Sequence, residues 1–247
     1  MKKSPFSILL VIFLAAGYVF PASAQDVVSI LKKMDQVLFQ PKDQTSNVRM
    51  VLTDRNGNER VREASIWQKG SDKRLFRFTK PAAEAGIAFL SLPNDLMYLY
   101  MPAFGRERRI ASHVKNQSFA GTDFSYEDME AREYEQFYTG KILREEGNLY
   151  ILELTPQASV RSDYSKMIVA VNKQHHTPER SESYDRGGNL AKTAVYTWER
   201  QGNYWIPKEI FMKDEKRGST TRMIMSEVKF DTNLSDQIFT VRNLTSF

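Results

Sequence analysis

The chain has 247 residues, 41% hydrophobic and 26% charged, with 35 Lys and Arg against 30 Asp and Glu and a formal net charge of +5. It contains no cysteine, which excludes a lipidated N-terminus, disulfides, thiolate catalysis and Cys-ligated metals. The charges are interspersed, so the mild positive excess fits an anionic surface or partner and does not mark a nucleic-acid binder.

Residues 1–24 read as a secretory signal peptide. Lys2 and Lys3 precede an apolar run over 8–19, and Ala22-Ser23-Ala24 offers small residues for cleavage before Gln25. That run is about 12 residues, against the roughly 20 that a membrane span needs. Without the leader the net charge falls to about +3. Residues 25–247 then form a single exported β domain, with no linker, low-complexity tract or repeat.

Asp26 is placed to cap a predicted helix over 27–39. Val27, Ile30, Leu31, Met34, Val37 and Leu38 form its apolar stripe, and Pro41 ends it. Strands are predicted over 48–53 and 60–68, joined by the turn Asn56-Gly57-Asn58. In the second of these, Val61 and Trp67 share one face while Ala64 and Ile66 share the other. Further strands cover 73–80, with Phe76 and Phe78 on one side, then 86–92 and 95–101. In the last, Leu96, Tyr98 and Tyr100 oppose Met97, Leu99 and Met101, so both faces are apolar and both should be covered.

Alternation stops at residues 118–129, SFAGTDFSYEDM. A loop running into a helical turn fits this stretch, with Thr122 or Asp123 as its cap and Glu127 and Asp128 near its positive end. Residues 134–144 are mixed, a strand or a loop plus strand, and strand patterns then run over 149–154, 166–171, 178–184, 192–200, 204–212 and 220–230, several of them separated by Gly- and Asn-containing turns. The count is about ten or eleven strands in an antiparallel meander, a size that tends to curl, close or split. Residues 235–247 are expected to add a helical turn and an edge segment.

Together with the basic run GRERRI over 105–110, the stretch FAGTDFSYEDM resembles a signature of the outer-membrane lipoprotein-sorting proteins of the LolA-like superfamily. The likeness covers most of the chain after the leader. It implies an incomplete, strongly curved antiparallel β-barrel with an N-terminal helix and a helical or loop lid. It also implies a periplasmic carrier or chaperone that binds a lipid, or the acyl chains of a lipoprotein, for transfer toward the outer membrane. Partners so implied are an inner-membrane transporter and an outer-membrane acceptor, with the carrier a monomer. The second reading is a non-enzymatic accessory protein docking on an inner-membrane exporter of the RND type. The classical carrier latches its lid with an arginine, and that role is not carried over to any position here.

Catalytic chemistry finds no support. There is no Gly-x-Ser-x-Gly, phosphate loop or paired His-Glu motif. His175 and His176 are adjacent on a turn and diverge, and His113 stands alone in a polar run, so no metal and no cofactor are expected. The acidic residues Asp123, Glu127, Asp128, Glu130, Glu133 and Glu135 lack the order of a calcium loop and are expected as a helix start with solvated charges. Arg106, Arg108 and Arg109 suit either a solvated sheet edge or a docking patch for headgroups or an acidic partner. Under the carrier reading the cavity is expected to be lined by Trp67, Phe76, Phe78, Phe89, Tyr98, Tyr100, Trp198 and Phe211, with Phe119, Phe124 and Tyr126 in the lid.

Overall fold

The structure is a computed structural model describing residues 22–246, so residues 1–21 of the expected leader lie outside the described residues. Helix α1 (Ala22–Leu38) starts upstream of the expected cap at Asp26, because Ala22 and Ala24 are strong helix formers that let the helix continue through that position. Its stripe is as predicted: Val27, Ile30, Leu31 and Met34 are buried, and Leu38 packs at the margin.

The first meander comprises β1 (Asp43–Thr53), β2 (Glu59–Lys69), β3 (Lys73–Lys80), β4 (Ala88–Leu92), β5 (Leu96–Met101) and β6 (Arg106–Arg109). After an insert containing the short helix α2 (Tyr134–Phe137), the second comprises β7 (Tyr138–Glu146), β8 (Leu149–Pro156), β9 (Tyr164–Asn172), β10 (Pro178–Asp185), β11 (Leu190–Gln201), β12 (Tyr204–Asp214) and β13 (Ser219–Phe230). All thirteen strands form one strongly curved sheet that does not close, in the order β6-β5-β4-β3-β2-β1-β13-β12-β11-β10-β9-β8-β7.

The count exceeds the ten or eleven expected. One reason is that the arginine run is itself a strand, β6, paired with β5 from Tyr98 opposite Arg109 to Met101 opposite Arg106. Its four residues are all exposed, so it lacks the alternation that marks a half-buried strand. The mixed segment over 134–144 resolves into α2 followed by β7.

Topology explains the insert. Each meander grows outward by hairpins, and the two join through the antiparallel pair β1–β13, with Met50 opposite Met223. The chain must therefore travel from one edge strand, β6, to the opposite edge strand, β7. Residues 110–137 make that crossing over the concave face.

Three apolar clusters follow. On the concave side, Phe119, Phe124, Tyr126 and Met129 of the insert pack on Val48, Met50, Ile66, Phe76, Phe78, Phe89, Met97, Met212 and Met223. Helix α1 lies on Leu152 and Leu154 of β8 and Met167, Val169 and Val171 of β9. The alternation of these strand residues puts every second side chain under the helix.

The convex face of β3–β5 is covered by the C-terminal segment. There a short 3-10 turn (Asp236–Phe239) and helix α3 (Val241–Thr245) bury Phe239 and Leu244 against Leu75, Ala88 and Leu90. The tail thus supplies a cover where an edge segment was expected. Asp43 anchors it, accepting from the N–H groups of Thr232 and Leu234 and from the Thr232 hydroxyl. Strand β5 is accordingly covered on both faces, with Met97 and Leu99 toward the insert and Tyr98 and Tyr100 toward the tail.

Candidate functional site

The insert is fixed residue by residue. Phe119 is fully buried, with its ring 5.2 Å from Phe76 edge-on, 5.8 Å from Phe78 and 5.5 Å from Phe89. Tyr126 lies 5.9 Å from Phe119 and 5.8 Å from Phe89. Such ring pairs add to the stabilisation from buried area. The chain then reverses at Ala120 and Gly121, with φ of 49° and 76°, and glycine adopts such angles without a Cβ penalty. Thr122 closes the turn by donating to the Phe119 carbonyl at 2.8 Å.

A capping box sits at Ser125, beyond the Thr122 or Asp123 position that the sequence suggested. The Ser125 N–H donates to the Asp128 carboxylate at 2.7 Å, and the Asp128 N–H donates to Ser125 Oγ at 3.2 Å. Asp123 bonds to the sheet, accepting from Ser219 at 2.5 Å, Thr221 at 2.7 Å and Arg217 at 2.8 Å.

The acidic residues are not solvated as expected; Asp123, Glu127 and Glu130 are 3%, 1% and 9% exposed. Burial is tolerable because each carboxylate has specific donors. Glu127 accepts from the Ser162 hydroxyl at 2.5 Å, the Asp163 N–H at 3.1 Å and Arg132 at 3.3 Å. Glu130 lies 3.3 Å from Lys115 and 3.5 Å from Arg132, and Lys115 also reaches Asp95. Asp128 accepts from Lys192 at 2.5 Å and from the Tyr164 hydroxyl at 2.8 Å. Burial alone would raise the Asp128 carboxyl, but Lys192 and the Ser125 bonds hold it below the usual range. Burial pushes the Tyr138 phenol up to about 12 and those of Tyr134 and Tyr164 well above their ordinary value.

Asp35 of α1 accepts from the N–H groups of Tyr134 and Glu135 at 2.9 Å each, tying the helix to α2. Burial raises its carboxyl to about 6, with the two N–H bonds pulling the other way and Glu133 and Glu135 adding to the rise.

Between insert, α1 and the curved sheet lies a cavity in two lobes. One, of about 210 Å³, is bounded by Leu38, Phe39, Tyr134, Tyr138, Trp198 and Trp205, among others. The second, of about 130 Å³, is more apolar, with Ile66, Ile206, Met223, Met225 and Val228. Gln44, Gln68, Arg74, Phe124, Asp128, Pro207 and Ile210 line both lobes and so mark their junction. One wall is ionic and hydroxylic; the facing wall is aliphatic and aromatic.

The residues named from the sequence fall into four places. Trp198 and Phe124 line the cavity. Phe76, Phe78, Phe89, Phe119 and Tyr126 make the dense core beneath the insert. Trp67, Tyr98 and Tyr100 lie on the convex face under the tail. Phe211 stands on that outer face too, opposite Val195 and Arg222, with the Arg222 guanidinium 6.0 Å from its ring centre. Arg106, Arg108 and Arg109 occupy the exposed edge strand β6.

Sequence reasoning missed the cations of the strands and of the β12–β13 turn that reach the insert's backbone. Arg62 donates to the Ala120 carbonyl at 2.5 Å, Arg74 to Met129 at 3.1 Å and Arg217 to Thr122 at 2.9 Å. For Arg62 and Arg74 an arginine at an inward strand position was the available signal, but the partner is a carbonyl whose place depends on the crossing. His175 stacks on Trp205 at 4.4 Å, and its Nδ1 lies 2.6 Å from the Thr177 hydroxyl.

Residues 70–246 match the model of a family described as "-like: Uncharacterized protein". No curated protein matches the chain significantly. Among solved structures, a DUF1329 family protein from Desulfovibrio piger superposes with a TM-score of 0.85 at 27% identity, over 90% of this chain and 99% of that one. A putative outer membrane lipoprotein-sorting protein domain from Vibrio parahaemolyticus gives 0.83 at 28%, over 90% and 99%. A LolA superfamily protein from Nitrosomonas europaea gives 0.73 at 26%, over 89% and 98%.

Proposed function

The chain belongs to the LolA-like superfamily, and from that premise we propose that it is a periplasmic, non-enzymatic carrier holding a lipid, or an acyl chain of a lipoprotein, in the two-lobed cavity. The observation that carries this reading is the cavity itself, roofed by a separate segment and lined on one side by Trp198, Trp205, Pro207, Ile210 and Met212. Each methylene kept from water is worth about 0.8 kcal/mol, so an acyl chain crosses an aqueous compartment slowly without a shield.

Phe124 forms part of the wall of both lobes, and the insert is also held by hydrogen bonds from Arg62, Arg74 and Arg217 to its carbonyls. Shifting the insert enlarges the cavity, and an entering chain replaces contacts the insert gives up. Uptake and release then differ little in free energy, as a carrier requires.

The test is mass spectrometry of organic extracts of protein purified from periplasm without detergent. Near-stoichiometric lipid, absent from a folded Ile210→Glu variant, is the expected result. A folded wild-type protein that arrives empty and refuses added lipid overturns the proposal. Tyr98 is unsuited as the control, because it lies under the C-terminal tail.

A second reading, docking on an inner-membrane exporter, is favoured by β6, an edge strand presenting Arg106, Arg108 and Arg109 to solvent. Replacing all three with serine separates the readings: lipid content persists while capture of a membrane partner is lost.

A further inference from the structure

Three arginines bind the insert's carbonyls, and their charges are treated differently. Arg62 is neutralised by Glu84 at 2.6 Å, and Arg217 by Asp123 and Asp214 at 2.8 Å each. Arg74 has no carboxylate within ion-pair distance among the described residues. Its contacts are neutral: Gln68 Oε1 accepts from Nε at 3.1 Å and from Nη2 at 2.7 Å, and the Met129 carbonyl accepts from Nη1. A guanidinium carries five N–H donors, so these three bonds leave two without an acceptor among the described residues. Arg74 lines both lobes and stands at their junction.

The other ionised groups of the cavity wall do not supply the missing negative charge. Glu127 is paired with Arg132, Glu130 with Lys115 and Arg132, and Asp128 with Lys192. Burial pushes the Arg74 guanidinium down to about 10, against the pull of Tyr134 and Glu130. That is the direction for a cation taken out of water without a close counter-charge.

We propose that the cavity takes a single-chain lipid with an anionic head, the head on Arg74 and the chain in the apolar lobe along Ile66, Ile206, Ile210, Met223 and Met225. This deepens the carrier reading and rests on it. Arginine meets planar carboxylates and phosphates with paired, charge-assisted hydrogen bonds. The lobes are small beside the roughly 300–1,000 Å³ of pockets that enclose drug-sized ligands, so the closed form has room for one chain at most and none for a multi-chain anchor. Gln68 holds the guanidinium in place, leaving its remaining donors to face the cavity.

The experiment titrates the full mature protein with dodecanoate, dodecyl phosphate, dodecanol and inorganic phosphate, followed by intrinsic fluorescence, since Trp198 and Trp205 line the larger lobe. Both anionic lipids are expected to bind at least about tenfold more tightly than dodecanol, and inorganic phosphate alone not measurably. Arg74→Gln is expected to abolish the preference while keeping chain binding, and Arg74→Lys, which keeps the charge, to retain part of it. Circular dichroism confirms that each variant folds. Equal binding of dodecanol and dodecanoate to wild type overturns the inference and leaves the carrier reading intact. So does a preference that survives in Arg74→Gln, and so does phosphate binding as tightly as the lipids. Failure of all three chain-bearing probes to bind folded wild type overturns the carrier reading with it.

Discussion

In the first meander, β3–β5 are sandwiched: the insert fills the concave face around Phe119, and the C-terminal segment covers the convex face with Phe239 and Leu244. In the second meander, α1 packs chiefly on β7–β9, and the inner faces of β10–β12 look into the cavity through Ser181, Tyr196, Trp198, Trp205 and Ile210. One half is solid on both sides; the other stops short of filling its curve. The solid half lets the sheet tolerate an open one, because aromatic packing at Phe119 anchors the insert whose far end roofs the cavity.

That contrast can be broken from the solid side first. Phe119→Ala should lower the unfolding free energy by about 3–5 kcal/mol, since the hole it leaves among four rings cannot collapse; urea unfolding measures it. Next, Asp128→Ala strands Lys192 in a buried site and should cost about 3 kcal/mol. Because Asp128 sits below the usual carboxylate range when folded, its contribution is present above pH 4 and is lost as acid protonates it. The wild type should therefore lose stability more steeply than the variant on acidification below pH 4.

Asp35 has the opposite sign and sharpens the comparison at the α1 end. Its carboxyl rises from 3.8 to about 6 on folding, so the folded form binds the proton more tightly. Its contribution is complete below about pH 4 and disappears as pH rises through about 6, a change of about 3 kcal/mol. Asp35→Asn should flatten the melting temperature between pH 4 and 7 relative to wild type. Smallest is Trp198→Ala. Since the cavity already adjoins this side chain, stability should fall by only about 1 kcal/mol. Lipid retention in the extract assay should fall much further. A loss in stability matching that of Phe119→Ala would show that the two halves are packed alike.

Much of the architecture was legible because period and turn chemistry are local. The α1 stripe, the Asn56-Gly57-Asn58 hairpin and the two apolar faces of β5 were all read from spacing, and the structure has each of them. Strand β6 was not, since four exposed residues carry no alternation. Nor was the cavity wall. Tyr98 and Phe76 are both aromatic residues of apolar strands in sequence, yet one lies under the tail and the other beneath Phe119. Parity along a strand says which residues share a face and is silent on which face curves inward.

By itself, then, the sequence determined an antiparallel meander with an amphipathic helix and an aromatic-acidic segment interrupting it, since each follows from neighbours within a few residues. Tertiary structure alone decided where that segment goes. The pairing of β1 with β13 puts β6 and β7 at opposite edges, and the chain between them must cross the concave face. From that crossing follow the burial of Glu127 and Glu130, the carbonyls presented to Arg62 and Arg74, and the space left between Phe124 and Trp198. Those are contacts across sequence separations that no local pattern encodes.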